Sequence, residues 1–193
     1  MKKILLTVAM MFACIATFAQ HAVGSVTIQP KVGMNIASMT DMDDGDVRIG
    51  AVLGAEFEYQ LTDIFSLSAG ALYSMQGIKA SEDGVKATLK LDYINIPILA
   101  NIYVAKNFAL KAGLQPAFNV KNTITGKYQG VTASTGNPID AKTLEVAMPI
   151  GASYEFNNVV IDARYNWGLT KVFDTGDSRN SVFQLSIGYK FNL

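Results

Sequence analysis

Residues 108–121, FALKAGLQPAFNVK, divide by parity into Phe108, Leu110, Ala112, Leu114, Pro116, Phe118 and Val120 on one side and Ala109, Lys111, Gly113, Gln115, Ala117, Asn119 and Lys121 on the other. Alternation of this length predicts a β-strand with one apolar and one polar face. The pattern recurs, and strands are predicted at 26–37, 47–60, 65–77, 88–103, 108–121, 144–156, 159–170 and 182–191. No stretch sustains a helical period. Short connections (Leu61 to Ile64, Val104 to Asn107, Asn157-Asn158) alternate with longer polar ones at 38–46, 78–87, 122–143 and 171–181. In an antiparallel meander this alternation puts every short turn at one end.

The decisive question is where the apolar face points. Strand glycines Gly33, Gly50, Gly54, Gly70, Gly113, Gly151, Gly168 and Gly188 all fall on the polar parity. Glycine weakens a strand and packs nothing, so on a water-facing surface this segregation has no purpose. Inside a narrow closed barrel it makes room for large side chains opposite. Aromatic residues of the apolar parity collect at strand ends. Phe57, Tyr59, Phe65, Phe108, Tyr154, Phe156, Tyr189 and Phe191 lie near the short turns, and Tyr73, Phe118, Tyr165, Trp167 and Phe183 near the long loops. Two aromatic girdles around an aliphatic band match two lipid–water interfaces. The expected fold is therefore all-β: an eight-stranded antiparallel up-and-down transmembrane β-barrel with its apolar face outward. A secreted, soluble ligand-binding barrel would require the opposite polarity.

The first residues change the chain to be folded. Lys2 and Lys3, the apolar run Ile4 to Phe18 and the small-x-small site Thr17-Phe18-Ala19 read as a signal peptide, 1–19, leaving a barrel domain over 20–193. A lipid anchor at Cys14 is the weaker alternative, because the apolar run continues past it. Removing Lys2 and Lys3 leaves 14 basic residues against 16 acidic, without cysteine. Disulfides, thiolate chemistry and a nucleic-acid-binding basic face are not expected. Charged residues are 17% of the whole chain, below the roughly 25% usual for soluble domains, which favours the lipid-facing reading.

Two features strain the pattern. Pro30, Pro97, Pro116 and Pro149 fall inside predicted strands, where they cannot donate to a ladder, so bulges or missing hydrogen bonds are expected there. Lys90 and Asp92 also share parity with Ile94, Ile96, Ile98 and Ile102. Either the upper part of that strand rises beyond the lipid or a bulge near Tyr93 shifts its register.

The segments LDYINIPILANIYV (91–104), YEFNNVVIDARYNWGLT (154–170) and VFQLSIGYKF (182–191) resemble the outer-membrane β-barrel family of Bacteroidota, the porin-family or PorT-like proteins. Their architecture is similar to the small eight-stranded barrels of the OmpX and OmpA type. The resemblance covers nearly the whole chain after residue 19 and implies the cell outer membrane. It also implies insertion by the barrel assembly machinery, which reads an aromatic-rich last strand; Tyr189-Lys190-Phe191 fits, although the chain ends Asn192-Leu193.

The polar parity carries Lys31, Arg48, Glu56, Glu58, Lys111, Lys121, Glu145, Glu155, Asp162, Arg164 and Lys190. Charges in a narrow lumen are costly unless paired. Lys31, Arg48, Glu56, Glu58, Lys111, Glu155, Asp162, Arg164 and Lys190 are therefore expected to form a salt-bridged filling rather than a channel lining. A narrow ion or small-solute channel is the alternative. No enzyme is expected: His21 is the only histidine, and no nucleophile elbow or paired-histidine motif is present. No cofactor is implied. Asp41, Asp43, Asp44 and Asp46 are weak Ca²⁺ candidates, since the spacing departs from an EF-hand and Val52 stands at its twelfth position. Membrane lipid and lipopolysaccharide are the expected surroundings, and a surface partner would be met through the longest loop, 122–143.

Overall fold

The structure, a computed structural model, describes residues 22–40, 46–82, 85–128, 131–136, 141–173 and 176–193. The strands are β1 (Val26–Met39), β2 (Asp46–Thr62), β3 (Phe65–Glu82), β4 (Val85–Asn95), β5 (Ile98–Ala105), β6 (Phe108–Tyr128), β7 (Val131–Gly136), β8 (Leu144–Phe156), β9 (Val159–Gly168), β10 (Asn180–Tyr189) and β11 (Phe191–Asn192). Each ladder is antiparallel, and β10 and β11 both pair back onto β1, so the sheet closes on itself. β4 and β5 are two halves of one strand interrupted at Ile96 and Pro97, and β10 and β11 are likewise interrupted at Lys190. The closed ring therefore has eight strands, with β7 outside it, paired to β6.

Burial alternates along these strands with the polarity of a soluble protein reversed. Val32, Leu53, Leu114, Ile150, Ile161 and Ile187 are exposed, while Gln29, Asn35, Gln115, Asn166 and Gln184 are buried. Tyr59, Phe118, Tyr154, Phe156, Trp167 and Tyr189 also stand on the exposed face. At the short-turn end Asn107, Asn157 and Asn158 adopt positive φ. Asparagine tolerates that region, and it lets a two-residue turn follow the twist of the flanking strands.

The prolines sit at gaps in the ladders. Pro97 lies in the break between β4 and β5, and beside it the Ile96 N–H donates a 2.8 Å hydrogen bond to the carbonyl of Pro116 on the facing strand. Pro149 lies where the β6–β8 register skips from Ala112–Ile150 to Gln115–Ala147. Pro30 lies where β1 passes from β11 to β10, and there the Lys190 N–H turns instead to the Asn158 carbonyl at 2.8 Å.

The strands run further outward than their hydrophobic pattern predicts. β3 and β4 extend to Glu82 and Val85, replacing most of the loop expected at 78–87. The expected loop 122–143 is largely a hairpin, with β6 continuing to Tyr128 and β7 returning from Val131 to Gly136. Thr123, Thr125, Thr132 and Thr135 carry β propensity but almost no hydrophobic amplitude, so a parity test does not register them. The fourth strand keeps one parity throughout, its register with β3 unbroken from Asn95 to Val85, so Lys90 stays on the outward side with Ile94; the irregularity lies on β6. Asp92 pairs with Lys121 but Tyr93 pairs with Asn119, so Val120 is an extra residue on β6. Beyond that bulge the faces of β6 exchange. Lys121, expected in the lumen, is exposed on the outer face, and Asn122 and Ile124 turn inward.

Candidate functional site: the charged interior and its capped mouth

Inward positions of β1, β2, β6 and β9 bring Lys31, Glu56, Lys111, Asp162 and Arg164 together, each at most 5% exposed. Arg164 is the hub. Its Nη1 and Nη2 donate to Glu56 Oε1 and Oε2 at 2.6 and 2.8 Å, and its Nε and Nη2 donate to Asp162 Oδ1 and Oδ2 at 2.6 and 2.8 Å. Two bidentate contacts from one planar guanidinium hold both carboxylates in register. Lys31 Nζ reaches Glu56 at 2.8 Å and Asp162 at 3.7 Å, and Lys111 Nζ reaches Asp162 at 3.0 Å. The group holds three cations and two carboxylates.

Nearer the short turns lies a second group. Lys190 Nζ stands 2.9 Å from Glu58 and 3.1 Å from Glu155, and donates to the Tyr103 hydroxyl at 3.1 Å. Glu58 also accepts hydrogen bonds from Tyr103 and, at 2.5 Å, from Ser66. One cation faces two carboxylates, so the two groups sum to zero charge. That balance is what a desolvated interior requires.

Glycine provides the space. A Cβ on Gly151, on the rung of Arg164, would stand 2.9 Å from Arg164 Cγ and would clash with the Ala163 carbonyl oxygen; one on Gly70 would stand 2.6 Å from Glu56 Cγ. Gly151→Val should therefore prevent or severely impair folding, seen as loss of the compact, heat-modifiable band after refolding in detergent. A variant that refolds with wild-type yield would show that the rung has room to spare.

Arg48, expected in the same network, stands apart. It lies where the β2–β3 register shifts between Val47 and Val52, donates to the Gln76 carbonyl, and approaches Asp92 at 3.6 Å. Asp92, placed by parity among apolar residues, is buried there and accepts a 2.8 Å hydrogen bond from Tyr73. Toward the long-loop end Glu145 is buried, accepting from the Tyr93 hydroxyl and, at 2.8 Å, from Asn180 Nδ2. Of the weak metal candidates, Asp46 is exposed at the start of β2, beside Lys79 on β3; Asp41, Asp43 and Asp44 lie outside the described residues.

Above Glu145 the lumen turns apolar. Met39, Ile78, Leu89, Leu91, Tyr93 and Ala117 form a cluster with Val172 and Phe173 from the fourth external connection. The connection is held in place by backbone. Lys142 N–H donates to Val172 O and Val172 N–H to Ser178 O, and Phe173 bridges to Ala141. Its outer side is solvated: Lys171 pairs with exposed Asp177 at 2.6 Å, which holds that carboxyl below its usual range. Sequence reading missed this cap. Val172-Phe173 is the one adjacent pair of large apolar residues in segment 171–181, and that was the available signal.

Comparison with known proteins adds the family. The model of the outer membrane protein beta-barrel domain matches residues 18–174, most of the chain. The protein belongs to this family. It is accordingly a protein of the outer membrane, and the exposed aliphatic band is its lipid-facing surface. Similar solved structures include Ail, the attachment invasion locus protein of Yersinia pestis, at 14% identity and TM-score 0.53, covering 88% of this chain and 100% of that one. Neisserial surface protein A is similar at 17% identity and TM-score 0.53, covering 86% and 97%. Ail solved with the heparin analogue sucrose octasulfate matches at 15% identity and TM-score 0.52, covering 88% and 100%. At these identities the likeness is one of fold. No curated protein matches the chain in sequence.

Proposed function

We propose that this is a non-catalytic, non-conducting outer-membrane barrel that acts at the cell surface, through the external sheet that ends in hairpin 122–143. The observation that carries this reading is the mismatch between the two ends. Turns of a few residues close one end, whereas β3, β4 and β6 continue beyond the ring at the other and add β7. Such an extension contributes nothing to closing the barrel, while an exposed sheet on a rigid base suits contact with a partner. Attachment, the role named in Ail, is a precedent among proteins of similar fold.

The filled interior supports the same reading. Eight strands leave a lumen just wide enough for side chains, and here two ion-paired groups and an apolar cap occupy successive levels. Planar bilayers containing the purified protein are expected to stay electrically silent; discrete conductance steps would transfer the assignment to a narrow channel. Residues 1–19 would direct export and be removed, and the assembly machinery would insert 20–193 by its final strand. The quoted strand segments favour the PorT-like branch found in Bacteroidota. Deleting residues 126–138 should leave heat-modifiable mobility intact and abolish binding to host matrix or cells; retained binding would rule this hairpin out as the contact.

A further inference from the structure

The outer face of the external sheet has a chemistry of its own. Register places Lys79, Thr88, Thr125 and Ser134 on one rung across β3, β4, β6 and β7. Lys90 pairs with Thr123 one outward position nearer the membrane, and Lys127 pairs with Thr132 one position further away. Lys121 follows the bulge at Val120 directly. Lys79, Lys121 and Lys127 are exposed and Lys90 half-buried. Among the described residues none of the four has an ion-pair partner, and the acids beside them on the ladders are Asp46, opposite Lys79, and Asp92, opposite Lys121 and already engaged by Tyr73 and Arg48. Lys79, Thr88, Thr125, Lys127 and Thr132 line one cavity of about 330 Å³, with Asp46 at its edge as the single acid of the lining.

This face continues the lipid-facing surface. Below the lysines, outward positions of the same strands are apolar or aromatic, namely Tyr73 on β3, Ile94 on β4, and Phe118 and Val120 on β6, apart from Asp92, which accepts the Tyr73 hydroxyl. The change from apolar to cationic takes place between Val120 and Lys121, at the end of the aromatic girdle. An outer leaflet presents the same order, acyl chains and then charged headgroups. Lysine stems can lie along apolar surface while the ammonium reaches a phosphate, and threonine hydroxyls add neutral donors to phosphate oxygens. The opposite face of the sheet, with Ile78, Leu89 and Leu91, is covered by Val172 and Phe173, so this one face is left for a ligand.

We infer that Lys79, Lys90, Lys121 and Lys127, with Thr88 and Thr125, form a docking surface for the phosphorylated headgroup of an outer-leaflet glycolipid of the lipopolysaccharide type. The surface holds the external sheet against the membrane on one side of the barrel mouth. Binding is largely electrostatic and weakens as salt is added.

The test uses the purified full-length barrel in uncharged detergent and three probes: phosphorylated lipopolysaccharide, the same glycolipid after chemical dephosphorylation, and a sulfated polysaccharide. The wild type should bind the phosphorylated lipid at least tenfold more tightly than the dephosphorylated one. The combined variant Lys79→Gln, Lys90→Gln, Lys121→Gln and Lys127→Gln should lose at least tenfold, while four Lys→Arg changes keep the affinity. Equal binding of the dephosphorylated lipid overturns the proposal, as does undiminished binding by the folded glutamine variant. Binding of the sulfated polysaccharide alone would reassign the face to a polysaccharide partner. Should the glutamine variant fail to fold, the two lipids compared on the wild type still decide the matter.

Discussion

Asp162→Asn should lower the unfolding free energy by about 3–5 kcal/mol, the cost of leaving buried charge without compensation. Asp162 is fully buried and holds Arg164 by two hydrogen bonds and Lys111 by one. Neutralising it leaves three cations around Glu56 alone, in a lumen that excludes bulk water. Arg164→Met is the informative comparison. It removes more contacts than Asp162→Asn, yet it leaves Lys31 on Glu56 at 2.8 Å and Lys111 on Asp162 at 3.0 Å, two cations against two carboxylates. The methionine also fills much of the vacated volume. If charge balance within this group, rather than summed over both groups, governs the interior, the arginine variant is the more stable of the two despite its larger loss of hydrogen bonds. Urea titration of both variants in lipid vesicles measures the difference. A wild-type midpoint for Asp162→Asn, or the reverse ranking, would mean that contact number outweighs charge balance.

Phe173→Asp is the second large effect, and it should open the mouth without unfolding the barrel. Phe173 packs with Val172 among Met39, Leu89, Leu91 and Tyr93. A carboxylate there would be desolvated with no cation in the cluster, a cost of several kcal/mol. The segment is held at its ends by a few backbone bonds, including Lys142 N–H to Val172 O and Thr40 N–H to Arg179 O at 3.0 Å, so leaving the cap is the cheaper response. Trypsin acting on the folded protein should then cut after Lys171 or Arg179 at least tenfold faster than in the wild type, with the heat-dependent gel shift retained. An unchanged cleavage rate would show that the apolar contacts are not what closes the mouth. Because the ion-paired groups lie below the cap, this variant should remain electrically silent.

Fold legibility followed the amplitude of the alternation. Where aliphatic residues alternate with polar ones, as in Phe108 to Val120, parity in the sequence matches exposure in the structure. Where threonine, serine and glycine fill both faces, as in Thr123 to Gly136, the strand persists but leaves no hydrophobic signature. A single bulge at Val120 then reversed the face of each later residue on β6, and this moved Lys121 from the expected lumen to the outer surface.

The all-β architecture, the outward apolar face and the end that carries the long connections were legible in the order of residues alone. Each of these is local, because strand period, turn chemistry and the parity of glycine need no knowledge of distant partners. The closed ring sets how the inward charge divides into a group of three cations with two carboxylates and a group of one with two. The tertiary fold also decides that Arg48 stands apart with Asp92, and that Val172 and Phe173 fold back over the mouth. Pairing across a lumen depends on register summed around the closed ring. One extra residue in one strand changes that sum, and nothing local to the other strands records it.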